Sequence, residues 1–149
     1  MNIDSVLKKK NVLQRYRNWF VLDDMAFSVR DLYDDVLSIT NTFSASVIFC
    51  DSCEANQIAD ELGAEEQEFL YDISGMYWHE LNIVFIFHFD NYTQTLETLF
   101  HEWVHTMQFQ SEDGRRIQQK ETSLPYEQRQ LEKQAFALAK EMMEVYRLR

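Results

Sequence analysis

The chain has 149 residues, of which 46% are hydrophobic and 14% aromatic, so it is long enough to bury a core and is not disordered in composition. Its net charge of -11 argues against nucleic acid or an anionic membrane as a partner. With three glycines and one proline there is no flexible linker, and we expect one domain over residues 1–149.

Neither a membrane span nor a secretion signal is predicted. The longest strongly apolar run, 83–89, is too short to cross a bilayer and contains His88. Lys8, Lys9 and Lys10 near the N-terminus are not followed by a continuous apolar region of the signal-peptide type. We therefore expect a cytoplasmic protein of a bacterium or phage, in which the two cysteines form no disulfide framework.

The first part of the chain predicts two helices and a strand. The polarity of 4–20 favours a helix, and apolar residues three and four positions apart favour a second helix over 24–39. Residues 45–50 are rich in Val, Ile and Phe, which is typical of a short strand.

A third helix and a hairpin are predicted next. Asp51 or Ser52 is expected to cap a helix that Gly63 ends. Range 64–75 is acidic and carries no assignment. From 76 to 89 apolar residues occupy the whole of one strand face and part of the other, which predicts a strand, or a hairpin entering one.

The last part of the chain predicts two long helices. The first covers 96–110, with Thr93 or Thr95 as its cap, and ends close to 112–114. A loop then leads to the final helix over 125–146, which a proline starts. The order of the elements predicts an α+β fold.

His101-Glu102-Trp103-Val104-His105 forms an H-E-x-x-H motif on the first of these helices. Two imidazoles four residues apart lie one above the other and can share a metal ion. Glu102 is placed to accept a proton from a zinc-activated water, which is the chemistry of peptide-bond hydrolysis. The apolar stripe of the helix comprises Leu96, Leu99, Phe100, Trp103 and Met107. Both histidines project roughly opposite that stripe, which argues against core histidines.

A catalytic zinc ion takes three protein ligands and leaves one position open. The metzincin extension needs Gly and His where this chain has Gln108 and Ser111. A carboxylate of the final helix is therefore favoured, and the predicted core stripe of that helix comprises Leu131, Ala135, Leu138, Met142 and Val145. Glu132 flanks this stripe and is the first candidate. Glu127 is the alternative, and Glu121 or a histidine is a weaker one.

The two motifs resemble those of small gluzincin-type zinc peptidases of the ImmA/IrrE family, whose second motif is E-x-x-A-N-x-F-A. Three positions are matched, by Glu132, Ala135 and Ala139. Phe136 stands where Asn is usual and Leu138 where Phe is usual. The resemblance covers the C-terminal third of the chain and a strand leading into the H-E-x-x-H helix. It implies a zincin-like fold, in which a small β-sheet packs on the H-E-x-x-H helix and on a C-terminal glutamate-bearing helix. It also implies Zn²⁺ bound by His101, His105 and Glu132.

The implied activity is hydrolysis of an intracellular protein or peptide, with Glu102 as the general base and, as a further expectation, an activating partner protein. The transition state needs another donor, for which Tyr126 is the first candidate and His79 and His88 are alternatives. The strand over 83–89 is expected to form a sheet edge that binds an extended substrate through backbone hydrogen bonds.

Two other functions stay open. A catalytically inactive zincin-fold protein would use zinc structurally, with a fourth ligand from His79 or His88, and serve in binding or regulation. The sequence Cys50-Asp51-Ser52-Cys53 is a C-x-x-C between a predicted strand and a predicted helix, which is the context of a thioredoxin-like dithiol. A pair of small buried residues is the simpler interpretation of the two cysteines.

Overall fold

The computed structural model is an α+β fold, described over residues 2–63, 73–125 and 128–149. Its elements in chain order are α1 (Ile3–Leu7), β1 (Gln14–Tyr16), β2 (Trp19–Val21), α2 (Val29–Thr40), β3 (Ser46–Phe49), α3 (Ser52–Glu61), β4 (Gly75–Trp78), β5 (Ile83–Ile86), α4 (Tyr92–Gln110), α5 (Glu112–Glu121) and α6 (Gln130–Arg147). The strand order is β1-β2-β3-β5-β4. The sheet is mixed, because the three central strands are parallel and each outer strand is antiparallel to its neighbour. The predicted α+β class is confirmed.

Helices cover both faces of the sheet. Side chains alternate along a strand, so Val47 and Phe49 of β3 face one apolar cluster while Ile48 faces the other. The first cluster contains residues of α2, α4 and α6, and the second contains residues of α1 and α3. All four residues of β5 are buried, as expected for a strand covered on both faces. The motif-bearing helix α4 therefore packs on the sheet.

The predicted helix over 4–20 is wrong beyond its first turn. Helix α1 ends at Leu7, and β1 and β2 form a hairpin whose two-residue turn places Arg17 at a φ of 53°. All three residues of β2 are buried. Consecutive apolar residues fill both faces of an internal strand, whereas a surface helix buries a single stripe, so the run favours the strand.

Side-chain caps set the bounds of the next elements. Helix α2 begins later than predicted because Ser28 accepts a hydrogen bond from the N–H of Asp31 and caps the helix at this point. The strand predicted over 45–50 is β3. Asp51 caps α3, and Gly63 follows its end at a φ of 78°. The predicted strand, the cap at Asp51 and the end of α3 before Gly63 are confirmed.

The predicted hairpin within 76–89 is present as β4 and β5, although β5 ends at Ile86 rather than at residue 89. The prediction that this second arm forms a sheet edge is wrong, because β5 lies between β3 and β4. Among the described residues, β4 is the edge strand on this side. The unassigned range 64–75 falls mostly outside the described residues, apart from its last three positions.

The predicted motif helix is confirmed as α4, and its cap is Asn91 rather than Thr93 or Thr95. The sequence analysis missed α5 over residues 112–121, which Ser111 caps, whereas the loop predicted through Thr122 and Ser123 follows this helix. Gly114 does not end a helix. A Cβ at this position would lie 1.9 Å from the carbonyl oxygen of Gln108, so α5 requires a glycine in order to pack on the end of α4.

Helices α4 and α6, of 19 and 18 residues, lie against each other and are the longest helices of the described chain. The final helix begins at Gln130 rather than at residue 125. In the described part of the chain, no helix combines the length and the apolar character needed to cross a bilayer.

Candidate metal centre

The H-E-x-x-H residues lie in the middle of α4 and are nearly inaccessible to solvent. His101, Glu102 and His105 are 8%, 3% and 9% exposed. Leu96, Leu99 and Phe100 of the predicted apolar stripe belong to the core against the sheet. Met107, predicted in that stripe, is instead 41% exposed, although its neighbours Thr106 and Gln108 are buried, so it lies on the uncovered side of the helix. The two histidines leave the sheet side of α4 and contact α6.

The three residues predicted as zinc ligands lie together between α4 and α6. The Nε2 atom of His105 is 3.2 Å from Nε2 of His101 and 2.6 Å from Oε1 of Glu132. Nε2 of His101 is 3.4 Å from Oε2 of Glu132. Ligand atoms on a tetrahedral zinc lie about 3.3 Å apart. Two of the three separations match that value, and the third is shorter because the carboxylate accepts a hydrogen bond directly from the imidazole.

Helix α6 brings Glu132 to the histidines through its small side chains. Its buried face consists of Leu131, Glu132, Ala135, Ala139 and Met143. Ala135 and Ala139 let α6 approach α4 closely, so that the carboxylate spans the remaining distance. The predicted core stripe is wrong in part, because Leu138 and Val145 are 37% and 52% exposed. The helix is rotated so that the side with Glu132, Ala135 and Ala139 faces the core, and the predicted stripe is only partly buried.

Glu121 fixes the start of α6 and does not join the cluster. Its carboxylate accepts hydrogen bonds of 2.7 and 3.4 Å from the N–H groups of Gln130 and Leu131. A negative charge at a helix N-terminus satisfies unpaired N–H groups and is favoured by the helix dipole. This contact from α5 sets where the first turn of α6, and therefore Glu132, begins. The weaker hypothesis of Glu121 as the third ligand is not supported by this geometry.

Gln108 orients the imidazole of His105. Its Nε2 donates to the carbonyl oxygen of Leu131 at 3.0 Å and to Oε1 of Gln134 at 2.8 Å. With both donor hydrogens used, its Oε1 accepts the Nδ1–H of His105 at 2.8 Å. Nε2 of His105 is thereby directed to the cluster. The sequence analysis missed this role, although a polar residue three positions after His105 on the same helix face was an available signal.

The His105–Glu132 contact favours charged forms of both groups. Burial opposes the anion of Glu132, but hydrogen bonds from His101 and His105 outweigh burial and lower its pKa to about 2. Burial likewise opposes the cation of His105, but the hydrogen bond to Glu132 and the nearby negative charges raise its pKa to about 9. The carboxylate is therefore ionised over the physiological pH range, as a metal ligand must be.

Glu102 lies beside the cluster and has a different environment. One of its carboxylate oxygens and a ring nitrogen of each histidine all lie within 4.8 Å of one another. Burial raises its pKa, while the neighbouring histidines act in the opposite direction. A carboxylate with a raised pKa is a better proton acceptor than an ordinary one, which suits a general base.

A cleft reaches Glu102 from two sides. A cavity of about 270 Å³ is bounded by Tyr77, His79, Phe109, Glu102, His105 and Glu132. A second cavity of about 600 Å³ is bounded by Thr98, His101, Glu102, Phe136, Ala139 and Lys140. Gly75 of the edge strand lines both. A Cβ there would lie 2.9 Å from Cγ2 of Thr98, so the glycine lets β4 pass close above α4.

The candidates for a transition-state donor have different outcomes. Tyr126, the first candidate, lies outside the described residues, as does Glu127, the alternative third ligand. His79 is exposed in the smaller cavity, where its ring stacks on Phe109 at 4.4 Å between centroids. His88 is exposed and lines neither cavity. Of the described candidates, His79 has the better position.

The two cysteines lie away from the metal centre. Cys50 is buried in the cluster of the opposite sheet face, and Cys53 is exposed on α3; neither forms a disulfide. Burial raises the pKa of the Cys50 thiol, with nearby carboxylates adding to the effect. A raised pKa disfavours the thiolate that dithiol exchange needs. This environment favours the interpretation of Cys50 as a small buried residue. The prediction of a buried pair is wrong for Cys53, which is exposed because it lies on the solvent side of α3.

Residues 21–149 match a protein family described as "Protein of unknown function (DUF3920)". The matched range includes α4, α5 and α6, and therefore all members of the cluster. No curated protein and no solved structure matches the chain.

Proposed function

The chain belongs to the DUF3920 family of proteins of unknown function, and we propose that it is a zinc-dependent peptidase with a zincin-like fold. The observation that carries the proposal is the convergence of His101, His105 and Glu132 from two helices, 27 residues apart for the last pair. Histidines that serve only as buried, hydrogen-bonded core residues do not require a carboxylate from a second helix directed at both rings. A metal site with three protein ligands does require such a carboxylate.

The donor set fits zinc. Two imidazole nitrogens and one carboxylate oxygen form the ligand set of many catalytic zinc sites, and the outer hydrogen bond from His105 to Gln108 fixes the ligating nitrogen. Zinc bound there would lower the pKa of a water molecule and polarise a peptide carbonyl. The cleft on both sides of Glu102 gives a peptide access to this point.

Glu102 serves as the general base of this proposal. It follows His101 directly, and its side chain therefore leaves α4 at a different angle from the two histidines. Its carboxylate takes the proton of the attacking water and delivers it to the amine that leaves. The burial that raises its pKa improves its strength as a base.

The edge strand β4 supplies a backbone surface for an extended substrate. The N–H of Phe87 donates to the carbonyl of Ser74 at 2.8 Å, so residues 74, 76 and 78 bond to β5 in this antiparallel register. The N–H and C=O groups of Gly75 and Tyr77 consequently point away from β5, beside the cleft. A peptide that pairs with them would run past Glu102.

Peptide cleavage by the zinc-loaded chain tests the proposal. A mixture of unstructured peptides is incubated with the wild-type chain and with Glu102→Gln, and products are identified by mass spectrometry. Cleavage by the wild-type chain and a loss of about 10²- to 10⁴-fold in Glu102→Gln at unchanged zinc content are expected. Glu141→Gln, the same change at an exposed position of α6, serves as the control and should cleave normally. Zinc binding without any cleavage would contradict the proposal and favour the non-catalytic zinc protein.

A further inference from the structure

Phe136 is an exposed aromatic side chain beside the metal centre. It lies on α6, four residues after Glu132 and therefore on the same side of the helix. Its ring packs against that of His101 at 4.4 Å between centroids, with an interplanar angle of 61°. Even so, 53% of the residue is exposed. Packing on His101 accounts for one side of the ring and leaves the other side towards the cleft.

The exposed side of Phe136 borders the larger cavity. This cavity has about 600 Å³, a size that holds ligands in other proteins. Its lining includes the apolar side chains of Ile73, Phe136 and Ala139, and the polar or charged ones of Ser74, Gln94, Glu97, Thr98 and Lys140. Because the cavity also touches His101 and Glu102, a group that enters it lies next to the reacting bond of a bound peptide.

We propose that Phe136 forms the wall of an apolar subsite, which selects substrates with an aliphatic or aromatic side chain next to the scissile bond. The inference rests on the proposed peptidase function and adds the substrate class. An apolar side chain in the cavity would cover the exposed face of Phe136 and remove apolar area of both groups from water. Charged and small polar side chains gain no such contact.

The chain offers variants that separate this role from a structural one. Phe136→Asn replaces the ring with a small amide, which should stay folded because the residue is half exposed. Phe136→Leu keeps an apolar wall and should rescue the preference. Leu138→Asn is the matched control, since Leu138 is 37% exposed on the same helix and does not line the cavity.

The experiment compares kcat/KM for peptides that carry Leu, Phe, Ser or Asp on each side of a cleaved bond. The zinc-loaded wild-type chain is expected to prefer Leu or Phe at one of these positions by about tenfold or more. Phe136→Asn should reduce that preference to within about twofold, at unchanged zinc content, while Phe136→Leu and Leu138→Asn retain it. The ratio between peptides is the decisive readout, because a merely structural defect lowers all rates together.

Two negative results have different meanings. The subsite is refuted if the wild-type chain cleaves peptides but prefers no apolar residue. It is also refuted if Phe136→Asn keeps the full preference. In both cases the proposed peptidase function stands. If the zinc-loaded wild-type chain cleaves none of the peptides, the proposed function fails and the subsite fails with it. Phe136→Trp gives a second check, because a larger ring should shift the preference towards smaller apolar residues.

Discussion

Replacing Gln108 separates zinc affinity from fold stability at one position. In Gln108→Met the side chain keeps its approximate length but loses the acceptor for Nδ1–H of His105 and both donors to α6. In Gln108→Glu the acceptor stays, and the donors to the Leu131 carbonyl and to Gln134 are lost. The pair therefore tests whether this amide orients a ligand as well as connecting two helices.

The magnitudes follow from the three hydrogen bonds. Gln108 is 8% exposed, so Gln108→Met leaves a buried Nδ1–H without a protein partner, which costs about 1–3 kcal/mol of folding free energy. Loss of an outer partner of a ligating histidine weakens metal binding by about 10- to 100-fold. Gln108→Glu should bind zinc within about threefold of the wild-type affinity, because a carboxylate also accepts Nδ1–H. Its metal-free form should still be destabilised, because a carboxylate oxygen then faces the Leu131 carbonyl.

Two measurements decide the Gln108 prediction. Zinc affinity is measured by competition with a chromophoric chelator, and the free energy of unfolding is measured by urea titration of the chelator-treated proteins. The expected pattern is lower stability in both variants and lower affinity in Gln108→Met alone. If Gln108→Met bound zinc as tightly as the wild-type chain, the assigned role of the amide in orienting His105 would be wrong.

Three further predictions concern other parts of the site. Glu132→Ala should weaken zinc binding at least tenfold in the same competition assay and Glu127→Ala should not; the reverse result would make Glu127 the third ligand. In chelator, the urea midpoint should be highest between about pH 4.5 and 6.5. It should fall as the pH drops towards 2, because folding lowers the pKa of Glu132 from 4.5 to about 2. It should also fall as the pH rises through 9, because folding raises the pKa of His105 from 6.5 to about 9. A profile that is equally steep in Glu132→Gln would contradict that origin. Gly75→Val should lower kcat/KM by about tenfold or more without loss of zinc, since its side chain displaces β4 from Thr98; normal cleavage would refute the role of the edge strand.

The parts of the site that depend on local geometry could be predicted from the sequence. The positions of His101, Glu102 and His105 relative to one another follow from helix geometry alone, so the motif predicted their arrangement. The wheel of the last helix also placed Glu132 beside its apolar residues. Caps such as Asp51 were predictable because the side chain bonds to the backbone three residues on.

The remaining features depend on contacts between distant segments. The apolar run over residues 19–21 is compatible with an internal strand, but its pairing with β3, much later in the sequence, cannot be predicted from the run itself. Helix α6 carries apolar residues over more than one stripe, and the close packing permitted by Ala135 and Ala139 decides which of them face α4. The contact of Gln108 with His105 lies within one helix and had a signal in the sequence, whereas the hydrogen bonds of Gln108 and Glu121 to α6 join different helices and depend on how those helices pack.

Metal analysis of the purified chain tests the central proposal most directly. After exposure to zinc and removal of the unbound ion, the wild-type chain and Glu102→Gln should each retain about one zinc ion per chain. His101→Ala and His105→Ala should retain none, and chelator should lower the unfolding temperature of the wild-type chain. A wild-type chain that retains no zinc, with the same unfolding temperature in zinc and in chelator, would contradict the proposed metal centre.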